Sequence, residues 1–334
     1  MTAHISRRRA IRIVAASAAV AGFGARAALA AQSRPFVWRG TALGAVASLQ
    51  LYHEDPAAAD ALIDAVAAGT RRLERIFSLY KPDSDLARLN RSGFLETPPP
   101  ELVGLLRRAA TLHEATEGAF DVSVQPLWSL YSEHFSQEDA DPAGPPQERV
   151  RAALDLVDCR RVRVGADRIS MPKGMALTLN GIAQGYISDR VVDILRNGGV
   201  THALVDMGET RAVGGKQEGA PWRIGIADPS DPARSCAELN LADKAVATSG
   251  AYGFQFEPTG RFNHLFDPRN GQCATLYRSV SIVADDATTA DALSTACSLL
   301  GQDQIARALS AGRADYALVV DQTSLIRRVA KAAI

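Results

Sequence analysis

The chain has 334 residues, 47% of them hydrophobic and 22% charged, a composition that supplies ample apolar material for one large domain or two smaller ones. Lys+Arg and Asp+Glu both number 37. The resulting zero net charge excludes the basic footprint of a nucleic-acid binder and a polybasic membrane patch.

Residues 1–30 read as an export leader. Arg7, Arg8 and Arg9 follow Ser6, an apolar run extends from Ile11 to Gly22, and Ala28-Leu29-Ala30 forms a small-residue cleavage site. The run is too short for a permanent membrane anchor. The arginines point to the twin-arginine route, which carries folded proteins, although Ala10 stands where a bulky residue is usual. The expectation is a mature domain over 31–334 in the periplasm.

In chain order, 41–52 has the period-two pattern of a strand. Pro56 to Tyr80 carries Leu62, Val66, Leu73, Ile76 and Phe77 at helical spacing. Residues 81–93 read as a polar loop with a helical turn. A helix starts after the prolines 98–100 and ends at Gly118. Residues 136–148, rich in Pro, Gly and acids, read as a surface insertion or subdomain boundary. Residues 161–171 suggest two short strands around a Gly-Ala-Asp turn. Residues 175–199 pass from strand through a glycine turn into a helix closed by Gly198 and Gly199.

Strands then dominate, including an expected hairpin at Thr259-Gly260. A helix covers Asp291-Ala-Leu-Ser-Thr295, and a short helix and a hairpin close the chain. Helices and strands mix without βαβ alternation, so the expected class is α+β, with mixed or antiparallel sheets flanked by helices. The four cysteines, Cys159, Cys236, Cys273 and Cys297, lack metal-ligand spacing. They leave one bridge or buried free thiols open.

Five stretches invite a chemical reading, each beside a plainer one. Asp291 and Thr295, four apart on a helix, share a face. They are either a solvated surface or two oxygen ligands for a hard cation, which would need further oxygens from backbone, water or a phosphorylated substrate. The turn at Gly181 in 178–189 either brings backbone close to a ligand or simply joins strand to helix. Asp121, after Phe120, could orient a ring edge or cap a turn. His264, expected in a hairpin strand, could be structural or catalytic. Tyr80 could stack on an aromatic ligand or close the core.

Taken in order, the stretches form a set: Gly40-Thr41; the run Phe77-Ser-x-Tyr80-x-x-x-Ser84-x-Leu86-x-x-Leu89-Asn90; Gly118-Ala119-Phe120-Asp121; Leu179-Asn-Gly181-Ile-Ala-x-Gly185-Tyr186; Ala247-Thr-Ser-Gly250; His264-Leu265-Phe-Asp-Pro-x-x-Gly271; and Ala290-Asp291-Ala-Leu-Ser-Thr295-Ala296. This set resembles the ApbE family of FAD:protein FMN transferases, over about Gly40 to Gly301. The resemblance implies an enzyme that binds FAD and Mg2+, attaches FMN through its phosphate to a Thr or Ser of a target flavoprotein, and releases AMP. It implies Asp291, Thr295 and the Gly181 carbonyl as metal ligands. Asp291 is also the candidate base, and His264 a candidate for pyrophosphate binding or leaving-group assistance. It implies FAD contacts at Arg39, Gly40, Thr41, Tyr80, Ala119, Phe120, Asp121, Thr178, Gln184, His264 and Leu265.

Three positions depart from the family pattern: Thr178 where Asp is usual, Gln184 where Lys is usual, and Met207-Gly208-Glu209 where Gly-Gly-Asp is usual. Losing that lysine removes a charge from a phosphate-binding region, a cost of roughly 1–3 kcal/mol. A non-catalytic flavin-binding protein and an FAD pyrophosphatase are therefore the alternatives. The leader and these departures resemble the exported NosX-like subgroup encoded with nitrous-oxide reductase, whose implied target is a NosR-like membrane flavoprotein.

Overall fold

The computed structural model describes residues 34–217 and 219–332. The leader expected over 1–30 lies outside the described residues. The chain opens with a hairpin of β1 (Phe36–Ala42) and β2 (Ala45–Leu51). The single strand expected over 41–52 is thus interrupted. Leu43 and Gly44 take positive φ values of 48° and 85°, which reverse the chain in two residues. The turn is tied down by the Leu43 N–H, which donates to Glu74 Oε1 at 2.8 Å.

Next come α1 (Pro56–Phe77), α2 (Asp85–Ser92), β3 (Phe94–Glu96) and α3 (Pro100–Ala115). The expected polar loop at 81–93 holds a two-turn helix because Ser84 caps it, accepting the Ala87 N–H at 3.1 Å, and Gly93 closes it at φ 76°. α4 (Gln125–His134) and α5 (Gln147–Leu154) follow, joined by largely exposed turns over the expected insertion. The two short strands expected over 161–171 are β4 (Arg163–Val164) and β5 (Arg168–Ser170). The strand expected at 175–179 does not form, and the segment joins no sheet. Its backbone is satisfied instead by the Asn90 side chain, which bonds both groups of Leu177, and by the Val122 carbonyl, which accepts from Thr178 N–H at 2.7 Å.

The second half contains α6 (Ala183–Asn197), β6 (Ala203–Asp206), β7 (Thr210–Val213), β8 (Trp222–Asp228), β9 (Asp231–Leu241) and β10 (Ala245–Ser249). It ends with β11 (Tyr277–Ala284), α7 (Ala287–Cys297), α8 (Gln302–Gly312), β12 (Ala314–Asp321) and β13 (Ile326–Ala330). The hairpin expected at Thr259-Gly260 is an irregular loop with one isolated bridge, Gln255 to Asn263. Glu257 takes the Thr259 and Phe262 N–H groups with its side chain, so those donors are unavailable to a ladder.

Eight strands form one antiparallel sheet in the order β1-β2-β6-β7-β10-β11-β12-β13, with β3-β5-β4 and β8-β9 as separate small sheets. Alternation along the strands explains the layers. Val205, Val213, Ala245, Ala247, Ile282 and Ala284 face the main core beneath the helices. Their neighbours Leu204, Ala212, Val246 and Val283 pack on the opposite face against Trp222, Ile224 and Ile226 of the β8-β9 ribbon. The fold is α+β. Among the described residues no helix is long and apolar enough to cross a membrane, and all four cysteines are unpaired.

Candidate active site

α7 is made almost wholly of small residues, and that composition lets it lie buried between the sheet and α6. The solvated face proposed for it does not exist: Asp291 is 3% exposed, and ten of the helix's eleven residues are buried. Asp291 Oδ2 accepts the Gly185 N–H at 3.0 Å. Burial pushes its carboxyl up to about 7, because charge is costly away from water.

Thr295, one turn on, lies against Gly181, where an added Cβ would stand 2.8 Å from the Thr295 hydroxyl. Only glycine leaves that space. Ser249 Oγ lies 3.3 Å from Thr295 Oγ1 and 2.7 Å from Ser294 Oγ. The glycine turn itself closes with the Ile182 and Ala183 N–H groups on the Leu179 carbonyl, and Thr178 Oγ1 accepts from Asn180 N–H at 3.2 Å.

Two further carboxylates share this region. Ser188 on α6 holds the turn after β6, donating to the Glu209 carbonyl at 2.6 Å while accepting the Met207 N–H at 3.3 Å. Asp206 is pushed up to about 6 by burial. Glu209 is raised by burial and then by the charges of Asp291 and Asp206. Sequence reading named Glu209 only as part of an altered tripeptide and missed Asp206. The available signal was an acidic residue ending a buried strand, Asp206, with Glu209 three positions after it.

These groups open onto a cleft of about 810 Å3, within the usual range of about 300–1,000 Å3 for ligand pockets. Of the expected site residues, Thr41, Ala119, Phe120, Asp121, Thr178, Gly181, Gln184, His264, Leu265, Asp291 and Thr295 all line it. Three stand apart from that lining. Arg39 is exposed on β1, Gly40 is covered by the Trp38 indole, and Tyr80 is 57% exposed in the turn after α1.

Asp121 reaches the cleft, but its oxygens are occupied. Oδ1 accepts from Ser123 N–H and Oγ at 2.7 and 2.6 Å, and Oδ2 takes Cys159 N–H at 3.0 Å with His113 Nδ1 at 3.3 Å. Its carboxylate therefore shapes the turn that presents Ala119 and Phe120. His264 is not in a strand. Its ring Nδ1 lies 3.1 Å from the Phe254 carbonyl, and burial pushes its pKa down, which favours the uncharged ring.

One wall is aromatic. Trp128, Phe254 and Phe266 line the cleft, backed by Tyr131, Phe256 and Phe262, with Tyr131 and Phe266 ring centres 5.0 Å apart. Such a wall suits a planar heteroaromatic ring. No Lys or Arg lines the cleft among the described residues.

The family model described as "ApbE family" matches residues 43–319. The chain belongs to the ApbE family. Among ApbE relatives, it is 32% identical over 245 residues to the FAD:protein FMN transferase of Vibrio cholerae, covering 70% of this chain and 72% of that one. It is 32% identical over 285 residues to that of Treponema pallidum, covering 78% of each. The Pseudomonas stutzeri flavinyl transferase ApbE in its apo form superposes with a TM-score of 0.75 at 27% identity, over 90% of this chain and 98% of that one. The ApbE protein of Thermotoga maritima gives 0.78 at 28% identity, over 88% and 97%.

Proposed function

We propose that the protein is a Mg2+-dependent FAD:protein FMN transferase. The observation that carries this is the charge of the cleft: Asp206, Glu209 and Asp291 line it, and among the described residues no Lys or Arg does. A diphosphate cannot settle among carboxylates unless a cation comes between them. The donor set fits Mg2+, a hard ion that takes oxygen ligands and keeps places for water and substrate phosphate. Asp291, Thr295 and the Gly181 carbonyl would hold it. When bound, it would neutralise the diphosphate and polarise the phosphorus under attack.

The chain's own residues supply the rest. The aromatic wall and the Ala119-Phe120 turn would seat the ring systems, and Thr41, Thr178, Gln184, His264 and Leu265 would line the length of the dinucleotide. The acceptor's Thr or Ser oxygen forms a bond to the FMN phosphorus. The bond from that phosphorus to the bridging oxygen breaks, AMP departs with that oxygen, and the hydroxyl proton passes to a carboxylate. Asp291 is the candidate base, though a carboxylate bound to a cation is a weak one, so its first role is as ligand.

The leader supports a periplasmic location reached by the twin-arginine route. With the departures at Thr178 and Gln184, it supports an acceptor exposed there, the candidate being a NosR-like membrane flavoprotein of nitrous-oxide reduction. Cell fractionation with and without Arg7 and Arg8 tests the location. For the activity, the mature protein is incubated with FAD, Mg2+ and a Thr-bearing acceptor domain. An acceptor heavier by one FMN group, with equimolar AMP, is expected. Free FMN and AMP without adduct would identify a pyrophosphatase, and bound FAD with no product a non-catalytic carrier.

A further inference from the structure

The oxygens assigned to the cation come from two separate pieces of chain: Gly181 in the turn before α6, and Asp291 with Thr295 on α7. Their spacing depends on how α7 lies along α6. The first four N–H groups of a helix have no acceptor within it. In α7, Thr289 N–H donates to Asp286 Oδ1 at 2.7 Å, and the regular ladder begins with Ala290 N–H on the Asp286 carbonyl at 3.2 Å. The N–H groups of the helix's first two residues are taken by a neighbouring helix. Ala287 and Thr288 N–H donate to Oδ1 and Oδ2 of Asp189, each at 2.9 Å, and the Thr288 hydroxyl donates to the same Oδ2.

Asp189 lies on α6 four residues after Gly185, so both occupy one face. Gly185 holds Asp291 itself. Arg211 on β7 donates to Asp189 Oδ1, and the pair is largely buried. Asp189 does not line the cleft. We propose that Asp189 is a positioning residue: by capping α7 from the neighbouring helix it fixes the distance between the two halves of the cation site, and so sets divalent-cation affinity. This rests on the Mg2+ reading above.

The test is Asp189→Asn in the mature protein, with Leu195→Ala in the last turn of α6 as a control that destabilises without touching α7's cap. Binding is read from the rise in melting temperature as Mg2+ is titrated, with and without FAD, and from the Mg2+ dependence of kcat. Residues that orient metal ligands typically control affinity by about 10–100-fold. The half-saturating Mg2+ concentration of D189N is expected to rise by that factor, with kcat restored at saturating Mg2+. L195A should melt earlier with an unchanged Mg2+ midpoint.

A folded D189N whose midpoint matches wild type overturns the proposal. Where D189N does not fold, Arg211→Gln gives the same readout with a smaller shift in the same direction, and no shift overturns it. A wild-type protein indifferent to Mg2+ in melting and turnover overturns the metal reading itself, and this proposal falls with it.

Discussion

The Gly185 N–H donates to Oδ2 of Asp291 across 3.0 Å, joining residues 106 positions apart. The contact is possible only because Gly185 has no side chain. A Cβ there would stand 2.2 Å from the Ala287 carbonyl oxygen, and that backbone cannot swing aside as a flexible side chain would. Gly185→Ala is therefore expected to destabilise the fold by about 1–3 kcal/mol, the usual cost of overpacking, and to weaken Mg2+-dependent turnover. Urea unfolding beside a Mg2+ titration measures both. A variant of wild-type stability would show that the two helices separate freely.

Asp291→Asn separates the demands of binding from those of folding. The carboxylate is buried, has no cationic partner among the described residues, and is pushed up to about 7 by that burial. The amide retains an oxygen for the Gly185 N–H and removes the charge. Metal-dependent turnover should be lost, while the metal-free protein should melt no earlier than wild type at neutral pH. A large fall in melting temperature would mean that the carboxylate is structural, and that its cost is offset by contacts other than a cation.

The sequence carried the strongly periodic and the capped elements. α1, α3 and α6 stand where apolar spacing, prolines and glycines put them. It also carried much of the cleft, since the ordered motifs lie in turns and helix ends that the sheet brings together. What stayed hidden depends on distant partners. Nothing local says that Asn90 will satisfy Leu177 in place of a strand, or that Glu257 will take the donors of a would-be hairpin. Asp189 was invisible for the same reason, since it caps a helix 98 residues further on. A helix as rich in Ala, Ser and Thr as α7 has no strong apolar stripe, so its burial on all sides could not be read from periodicity.

His264 predicts a pH effect of definite sign. Burial holds its pKa below the ordinary 6.5 in the folded protein. As pH falls below that value the unfolded chain takes up the proton first, so stability is lost on acidification. His264→Gln removes this contribution. The advantage of wild type over H264Q in melting temperature should therefore shrink from about pH 7.5 to about pH 5. A gap that stays constant across that range would place His264 in water with an ordinary pKa.

Gln184 stands where the family resemblance expects Lys, and its effect should be on substrate rather than on stability. Its side chain lies over Gly208, beside Asp206 and Glu209: a Cβ on Gly208 would stand 2.5 Å from Gln184 Nε2. A lysine ammonium there would enter a cleft lined by carboxylates and, among the described residues, by no Lys or Arg, so its charge would be partly neutralised before a diphosphate arrives. Gln184→Lys is expected to tighten FAD binding by about 1–3 kcal/mol, the range of a charge-assisted hydrogen bond, and to lower the Mg2+ needed for half-maximal turnover. Fluorescence titration of FAD at several fixed Mg2+ concentrations measures both. If affinity is unchanged at every Mg2+ level, the ammonium is fully engaged by Asp206 and Glu209, and cation supply to the diphosphate rests on the metal alone.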